Sequence, residues 1–310
     1  MAEEVRTELD GRTLRLTNLT KPLFPDGTTK AEVIEYYLAV SDTLLPHLRD
    51  RAVSRIRYPD GADGPNFFEK NPPPNAPSWF TTTTVHSGEH QTRYPHVDER
   101  AALVHAANLA ALELHVPQFW FEGRDPVWVD GPEAVLPGLL VIDLDPGEGV
   151  DMATIATAAL QAATVVAGDG LVPVPVVSGR KGLHVYAPVA PASGAELMAY
   201  AAGVGAVMAE QNPGQFASLK GAKNRHGMIR VDQEQNATGR SMACPYSLRA
   251  GARPQCTTPV SWDEVAEAAQ GRTELRFSPA QVLERVAQFG DLAADLLRPG
   301  TVPLPAPPSP

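Results

Sequence analysis

The sequence predicts an α+β fold, with a central mixed or antiparallel sheet flanked by helices in a single compact domain over residues 10–298. Three observations predict it. Apolar residues recur at helical spacing in several segments, short apolar or alternating runs of strand length lie between them, and no low-complexity break divides the chain. Two of the strand-length runs, 53–58 and 66–70, flank the turn-rich Pro59-Asp-Gly-Ala-Asp-Gly-Pro65 and form a hairpin, which a simple doubly wound parallel sheet does not contain.

Taken in order, a short strand around Leu14 to Leu16 opens the fold. Thr29-Lys-Ala-Glu32 is a capping box, in which the Thr hydroxyl and the Glu carboxylate satisfy each other's orphan backbone amides. Ile34, Tyr37, Leu38, Leu45 and Leu48 then continue one apolar helical face. After the hairpin, an Ala- and Leu-rich helix is expected from Glu99 to His115, and Leu139-Leu-Val-Ile-Asp143 reads as a strand. Asp151 is the expected N-cap of a helix to about Val166, followed by the apolar run Leu171 to Val177. Residues 183–187 and 228–232 read as strands, and 194–211, 261–270 and 279–297 as helices. Residues 1–10 and the Pro-rich tail 299–310 are expected to be flexible, since neither composition can build a packed core.

The chain has 310 residues, with 26 Lys and Arg against 36 Asp and Glu, a net charge of −10. That balance excludes a basic nucleic-acid coat protein and a polybasic membrane binder. A local basic groove is still compatible with it, because screening limits each charge to about 10 Å. The two cysteines, Cys244 and Cys256, form no CxxC pair and read as free thiols of a reducing compartment. The polar, acidic N-terminus and the lack of any 18-residue apolar run point to a cytoplasmic protein with no membrane partner.

Three stretches carry chemistry. In Leu139-Leu-Val-Ile-Asp143-Leu-Asp145-Pro-Gly an apolar strand ends in two carboxylates two residues apart, which strand alternation places on one face. Like charges so close repel unless a cation lies between them, and hard oxygen donors without nearby His or Cys favour Mg²⁺ or Mn²⁺ over Zn²⁺. By itself the pattern fits a metal site or a solvated strand end. Val176-Val-Ser178-Gly-Arg180-Lys181-Gly182-Leu-His184-Val-Tyr186 joins two strands by a basic glycine-rich turn, which fits a polyphosphate cradle or an ordinary basic hairpin tip, with His184 and Tyr186 on one face. A third acid, Asp232, ends the strand Met228-Ile-Arg-Val-Asp. Three strand-end acids and a basic glycine turn are the minimum equipment of two-metal nucleotidyl transfer.

Together with Thr17-Asn-Leu-Thr-Lys21-Pro-Leu-Phe-Pro25, Phe67-Phe68-Glu-Lys70, Asn108-Leu-Ala-Ala-Leu-Glu-Leu-His115 and Ala243-Cys-Pro-Tyr-Ser-Leu-Arg249, these stretches resemble the polymerase domain associated with bacterial ligase D, of the archaeo-eukaryotic primase superfamily. They occur in family order and cover nearly the whole chain. The resemblance implies a primase-polymerase fold and a template-directed nucleotidyltransferase that favours ribonucleotides, uses Mn²⁺ or Mg²⁺, and fills gaps and extends ends in non-homologous end joining. It implies Asp143, Asp145 and Asp232 as the metal triad and His115 as a catalytic residue near the nucleotide sugar. Ser178, Arg180, Lys181, His184 and Arg249 would hold the nucleotide, and Arg57 and Lys70 would meet nucleotide or template.

Phe67 and Phe68 fall where the family stacks bases, and alternation sends one of them toward the core. Lys21 and Lys30 match lysines that grip the downstream 5′-phosphate of a gapped or broken duplex, and Arg225 lies in a loop that touches DNA ends. Implied partners are DNA, NTP or dNTP, a Ku-type end-binding protein and a separate DNA ligase, since no K-x-D-G adenylation motif is present, in a nucleoid-associated setting. The connection 116–138 is longer than in many relatives. Two rival readings are a haloacid-dehalogenase-like phosphatase, which also uses D-x-D after an apolar strand, and a non-catalytic DNA-end-bridging module.

Overall fold

The computed structural model describes residues 4–73, 75–123, 125–217 and 226–309, which form two compact units. The first comprises Met1–Val135, Ala243–Thr257 and Phe277–Asp291; the second comprises Leu136–Met242, Thr258–Arg276 and Leu292–Pro310. Helices and sheets are mixed in both, as the sequence predicts. No helix among the described residues is long and apolar enough to cross a membrane.

The second unit is built on a five-stranded sheet in the order Ile229–Val231, Leu139–Pro146, Leu183–Pro188, Val174–Val177, Thr258–Pro259, with every neighbour antiparallel. Leu139–Pro146 needs a central place because Leu140, Val141, Ile142 and Leu144 are all buried, and a strand that is apolar on both faces must be covered on both. The helices Met152–Gly168 and Gly194–Gln211 pack against this strand and against each other, opened by an Asp151 N-cap and a Ser193–Glu196 capping box. Where Ile229–Val231 ends, the pairing continues by other means. Asp232 N–H donates to the Asp143 carbonyl at 2.9 Å, and the buried Asn236 side chain bonds both the N–H and the C=O of Val141, at 2.9 and 2.8 Å.

The first unit holds a sheet in which Ser54–Arg57 lies between Phe67–Glu69 and Ala111–Val116, all antiparallel. In a hairpin of Thr82–Ser87 and His90–Pro95, the first strand also pairs in parallel with Val127–Trp128. The Thr29–Glu32 capping box is present at the start of the helix Lys30–Ala39.

The structure differs from the sequence reading in several places. Residues 1–10, expected to be flexible, include the strand Glu4–Leu9, which pairs antiparallel with Arg12–Thr17 because the turn at Asp10 and Gly11 takes the positive φ of a tight hairpin. The helix over 29–48 is two helices, Lys30–Ala39 and Ser41–Leu48, because the N–H of Val40 closes the first on Tyr36 O and Leu38 O before the second begins. The helix expected to reach His115 stops at Asn108. Ala110 turns through φ 59°, and residues Ala111–Val116 form a strand, so His115 is a strand residue. The last helix is Pro279–Phe289, ended at Gly290. The Pro-rich segment beyond residue 298 lies against its unit, with Ala190 N–H donating to Val302 O at 2.8 Å and a Cβ on Gly138 falling 2.5 Å from Pro299.

Two stability outcomes follow from the packing. Asn236→Ala strips both polar backbone groups of buried Val141 and is expected to cost about 3 kcal/mol, read from urea unfolding. Burial of His105 beside Arg55 and Arg57 pushes its imidazole pKa down to about 4 from 6.5. The folded state therefore refuses a proton that the unfolded chain accepts, so stability is full above about pH 6.5 and declines toward pH 4. Urea midpoints at pH 7 and pH 5 should fall more for the wild type than for His105→Leu.

Candidate functional site

In the second unit the strand register assembles the acids. Asp143 faces His184 across the pair with Leu183–Pro188, and Asp145 faces Arg230 across the pair with Ile229–Val231. Asp143 Oδ1 lies 3.4 Å from His184 Nε2, and the His184 and Tyr186 rings meet edge to face at 5.9 Å, which places them on one face as alternation predicts. Asp232 follows Val231, and its backbone bond to Asp143 brings the third acid to the same sheet end. Its carboxylate accepts from Arg230 Nη2 at 2.5 Å, Gln235 Nε2 at 3.2 Å and Glu234 N–H at 3.3 Å.

The Arg230 guanidinium also stands 3.7 Å from Asp145 Oδ2. The like charges of Asp145 and Asp232 are thus held beside one internal cation, whose signal in the sequence was only a basic residue two positions before an acid. Among the described residues no three His, Cys, Asp or Glu side chains are grouped so that they could hold a metal ion as they stand. The donor set nevertheless fits one. It consists of carboxylate oxygens on neighbouring strands gathered about a positive group, the chemistry that a hard divalent cation satisfies.

The basic turn beside this end is organised by Ser178. Its hydroxyl oxygen accepts from the N–H groups of Arg180 at 3.2 Å and Gly182 at 3.1 Å, while Ser178 N–H donates to Gly182 O. Those two amides close the turn on itself, so the positive character of its tip comes from the exposed Arg180 and Lys181. Gly182 is required by packing, since a Cβ there would fall 2.8 Å from Leu144 O.

The first unit carries a second cluster. Fully buried Glu113 is approached by His115 Nε2 at 3.1 Å and Arg249 Nη1 at 3.4 Å, and it accepts from Tyr58 O–H at 3.3 Å and Ala250 N–H at 3.1 Å. The sequence reading passed over Glu113, although it shares the strand face of His115. Phe67 and Phe68 are both exposed, by 52% and 51%, so neither enters the core as expected. They lie on a three-residue strand at the sheet edge, and Phe68 meets the His115 ring edge-on at 6.3 Å with Lys70 Nζ 6.0 Å from its own centre.

Arg57 bonds Leu109 O and Glu69 within its sheet. Lys21 Nζ donates to Pro59 O at 2.6 Å, and buried Lys30 Nζ donates to Thr17 O at 2.8 Å. Burial, with the charges of Lys21 and Arg57 nearby, pulls the Lys30 pKa below its ordinary value, while Lys21 lies 3.5 Å from Asp60 and Arg57 is paired with Glu69. Arg225 lies outside the described residues.

The family model for the LigD primase-polymerase domain matches residues 29–293. The chain belongs to the LigD primase-polymerase family. Within that family it is 37% identical over 285 residues to the multifunctional non-homologous end joining protein LigD of Mycolicibacterium smegmatis, covering 91% of this chain and 36% of that protein. It is 31% identical over 280 residues to the bifunctional non-homologous end joining protein LigD of Bacillus subtilis, covering 89% and 43%. The chain therefore spans well under half the length of these relatives. The polymerase domain of Mycobacterium tuberculosis ligase D, solved in complex with DNA, superposes with a TM-score of 0.82 at 37% identity over 92% of this chain and 98% of that one. As a LigD primase-polymerase domain, the chain is a nucleotidyltransferase.

Arg230 supplies a test of how the acids are balanced. In Arg230→Met the carboxylates of Asp145 and Asp232 lose their shared cation, so millimolar Mn²⁺ should raise the melting temperature of the variant more than that of the wild type, as scanning calorimetry reads it.

Proposed function

We propose that this chain extends a primer 3′-hydroxyl on a DNA template, filling gaps and lengthening ends in non-homologous end joining of double-strand breaks. The observation that carries the reading is the meeting of Asp143, Asp145 and Asp232 at one end of one sheet beside the basic turn of Arg180 and Lys181. The printed names of the relatives, and the DNA held by the structural neighbour, support the same direction.

The three acids would hold Mn²⁺ or Mg²⁺, which when bound lowers the pKa of the attacking hydroxyl and neutralises the triphosphate and its leaving group. Arg180 and Lys181 would meet the phosphates with full charges, joined by the Ser178 hydroxyl and by His184. His115 and Arg249 would contact the nucleotide's sugar and phosphates. The exposed rings of Phe67 and Phe68 offer flat apolar faces to bases, worth about 1–3 kcal/mol for each stacked base. Arg57 and Lys70 would meet nucleotide or template, while Lys21 and Lys30 would draw in the downstream 5′-phosphate and Arg225 would engage a DNA end.

Ribonucleotides are the favoured substrates in this reading, a Ku-type protein delivers the ends, and a ligase activity seals the product, in the cytoplasm at the nucleoid. The mid-chain position of Asp143 and Asp145, followed by Pro146, speaks against the phosphatase reading, in which such a pair opens the fold near the N-terminus, and three acids at one sheet end speak against a purely bridging role.

Extension of a gapped duplex with labelled nucleotide in Mn²⁺ tests the proposal. Templated growth is expected, faster with NTP than with dNTP and faster with a downstream 5′-phosphate, whereas release of free phosphate would mark a phosphatase. Asp143→Ala and Asp145→Ala should each lower extension by about 10³-fold while duplex binding stays within about twofold by anisotropy. Undiminished extension by either variant would overturn the assignment.

A further inference from the structure

We propose that Glu113 is a positioning residue that sets His115 and Arg249 as a fixed pair toward the incoming nucleotide, an inference that rests on the nucleotidyl-transfer reading. Glu113 is fully buried, and a buried carboxylate persists only when its oxygens are satisfied. The two oxygens divide the work. Oε1 accepts from the backbone N–H of Ala250 at 3.1 Å and the Tyr58 hydroxyl at 3.3 Å, which fix the carboxylate plane. Oε2 faces the two groups that would touch substrate, His115 Nε2 at 3.1 Å and Arg249 Nη1 at 3.4 Å.

An ionised carboxylate can only accept hydrogen bonds, so the His115 proton toward it sits on Nε2, and the tautomer of the ring is set. The same oxygen draws in the Arg249 guanidinium from a strand far along the chain. His115 and Arg249 each keep a partly exposed side chain, at 12% in both, whereas Glu113 keeps none. The exposed Phe68 ring stands edge-on to His115, so an aromatic face, an imidazole and a guanidinium are gathered around one hidden anion.

The strand pairing beneath this cluster has bonds besides those of Glu113. Leu114 N–H donates to Ser247 Oγ at 2.8 Å, Cys244 N–H donates to Leu114 O at 2.9 Å, Leu248 N–H donates to Tyr37 Oη at 3.2 Å, and Tyr37 O–H donates to Leu112 O at 2.7 Å. These bonds hold the Leu248–Arg249 strand against Ala111–Val116 whether or not residue 113 is charged. A charge at this position thus acts on side-chain orientation, and its loss should be felt in nucleotide affinity before stability.

Glu113→Gln keeps the shape but turns an amide N–H₂ toward two donors. With a labelled ATP followed by polarisation, and with KM and kcat from gapped-duplex extension, the variant should bind ATP at least tenfold more weakly and show a KM raised at least tenfold. Its kcat should change less than its KM, and DNA binding should stay near the wild type. Glu113→Asp, which restores the charge but withdraws it by about 1.5 Å, one carbon–carbon bond, should recover part of that loss. Adding Glu113→Gln to His115→Asn should worsen KM by less than the product of the two single effects.

A folded Glu113→Gln protein with affinity and KM within twofold of the wild type overturns the proposal. A uniform fall in kcat and DNA binding with KM unmoved marks loss of folded protein. Where Glu113→Gln does not fold, Glu113→Asp decides: a KM raised threefold or more supports the role and a wild-type KM overturns it. Wild-type protein that binds labelled ATP but extends no primer refutes the polymerase reading and leaves the polarisation result to judge Glu113. Wild-type protein that binds no nucleotide refutes both.

Discussion

Antiparallel pairing on both sides of Leu139–Pro146 is the constraint on which the chemistry of the second unit depends. That strand is buried along its apolar length, so its register cannot slip by one residue without turning Ile142 and Leu144 out of the core and Asp143 into it. The same register sets Asp143 opposite His184 and Asp145 opposite Arg230, and a single backbone bond then ties Asp232 to Asp143. Three acids from two distant stretches are thus brought to one sheet end by main-chain geometry, and side chains then orient them, Arg230 beside Asp145 and Asp232 and His184 beside Asp143.

Both units solve one electrostatic problem in opposite ways. In the second unit, anions that repel are gathered at a partly exposed sheet end and kept tolerable by Arg230. In the first, a single anion is hidden completely beside the Arg249 guanidinium and the His115 imidazole. The first arrangement leaves negative charge available to a divalent ion, while the second presents positive groups on an anionic anchor.

The acid strand was legible because its signals are local: an apolar run, alternation, and a Pro-Gly exit. The Thr29–Glu32 box was legible for the same reason, since partners three residues apart need no knowledge of the fold. His115 was misplaced on a helix because Ala and Leu favour helix, and the reversal at Ala110 takes a left-handed φ without the glycine that usually announces it. The alternation of Leu112, Leu114 and Val116 with Glu113 and His115 carried the strand signal, outweighed by composition. Glu113 and Arg230 escaped notice because a lone charge in a strand gains meaning only from what the register sets beside it, and for Glu113 the decisive partner is more than a hundred residues away.

The proline-rich end of the chain has a geographic consequence. Pro299 packs on Gly138 and Val302 pairs with Ala190, at the extremity of the sheet where Leu139 meets Pro188, which is the pole opposite the carboxylates. From there the segment runs on to Pro308, which packs against Gly203 of the helix Gly194–Gln211, so trimming these last residues would strip a lining from that helix rather than remove a loose end.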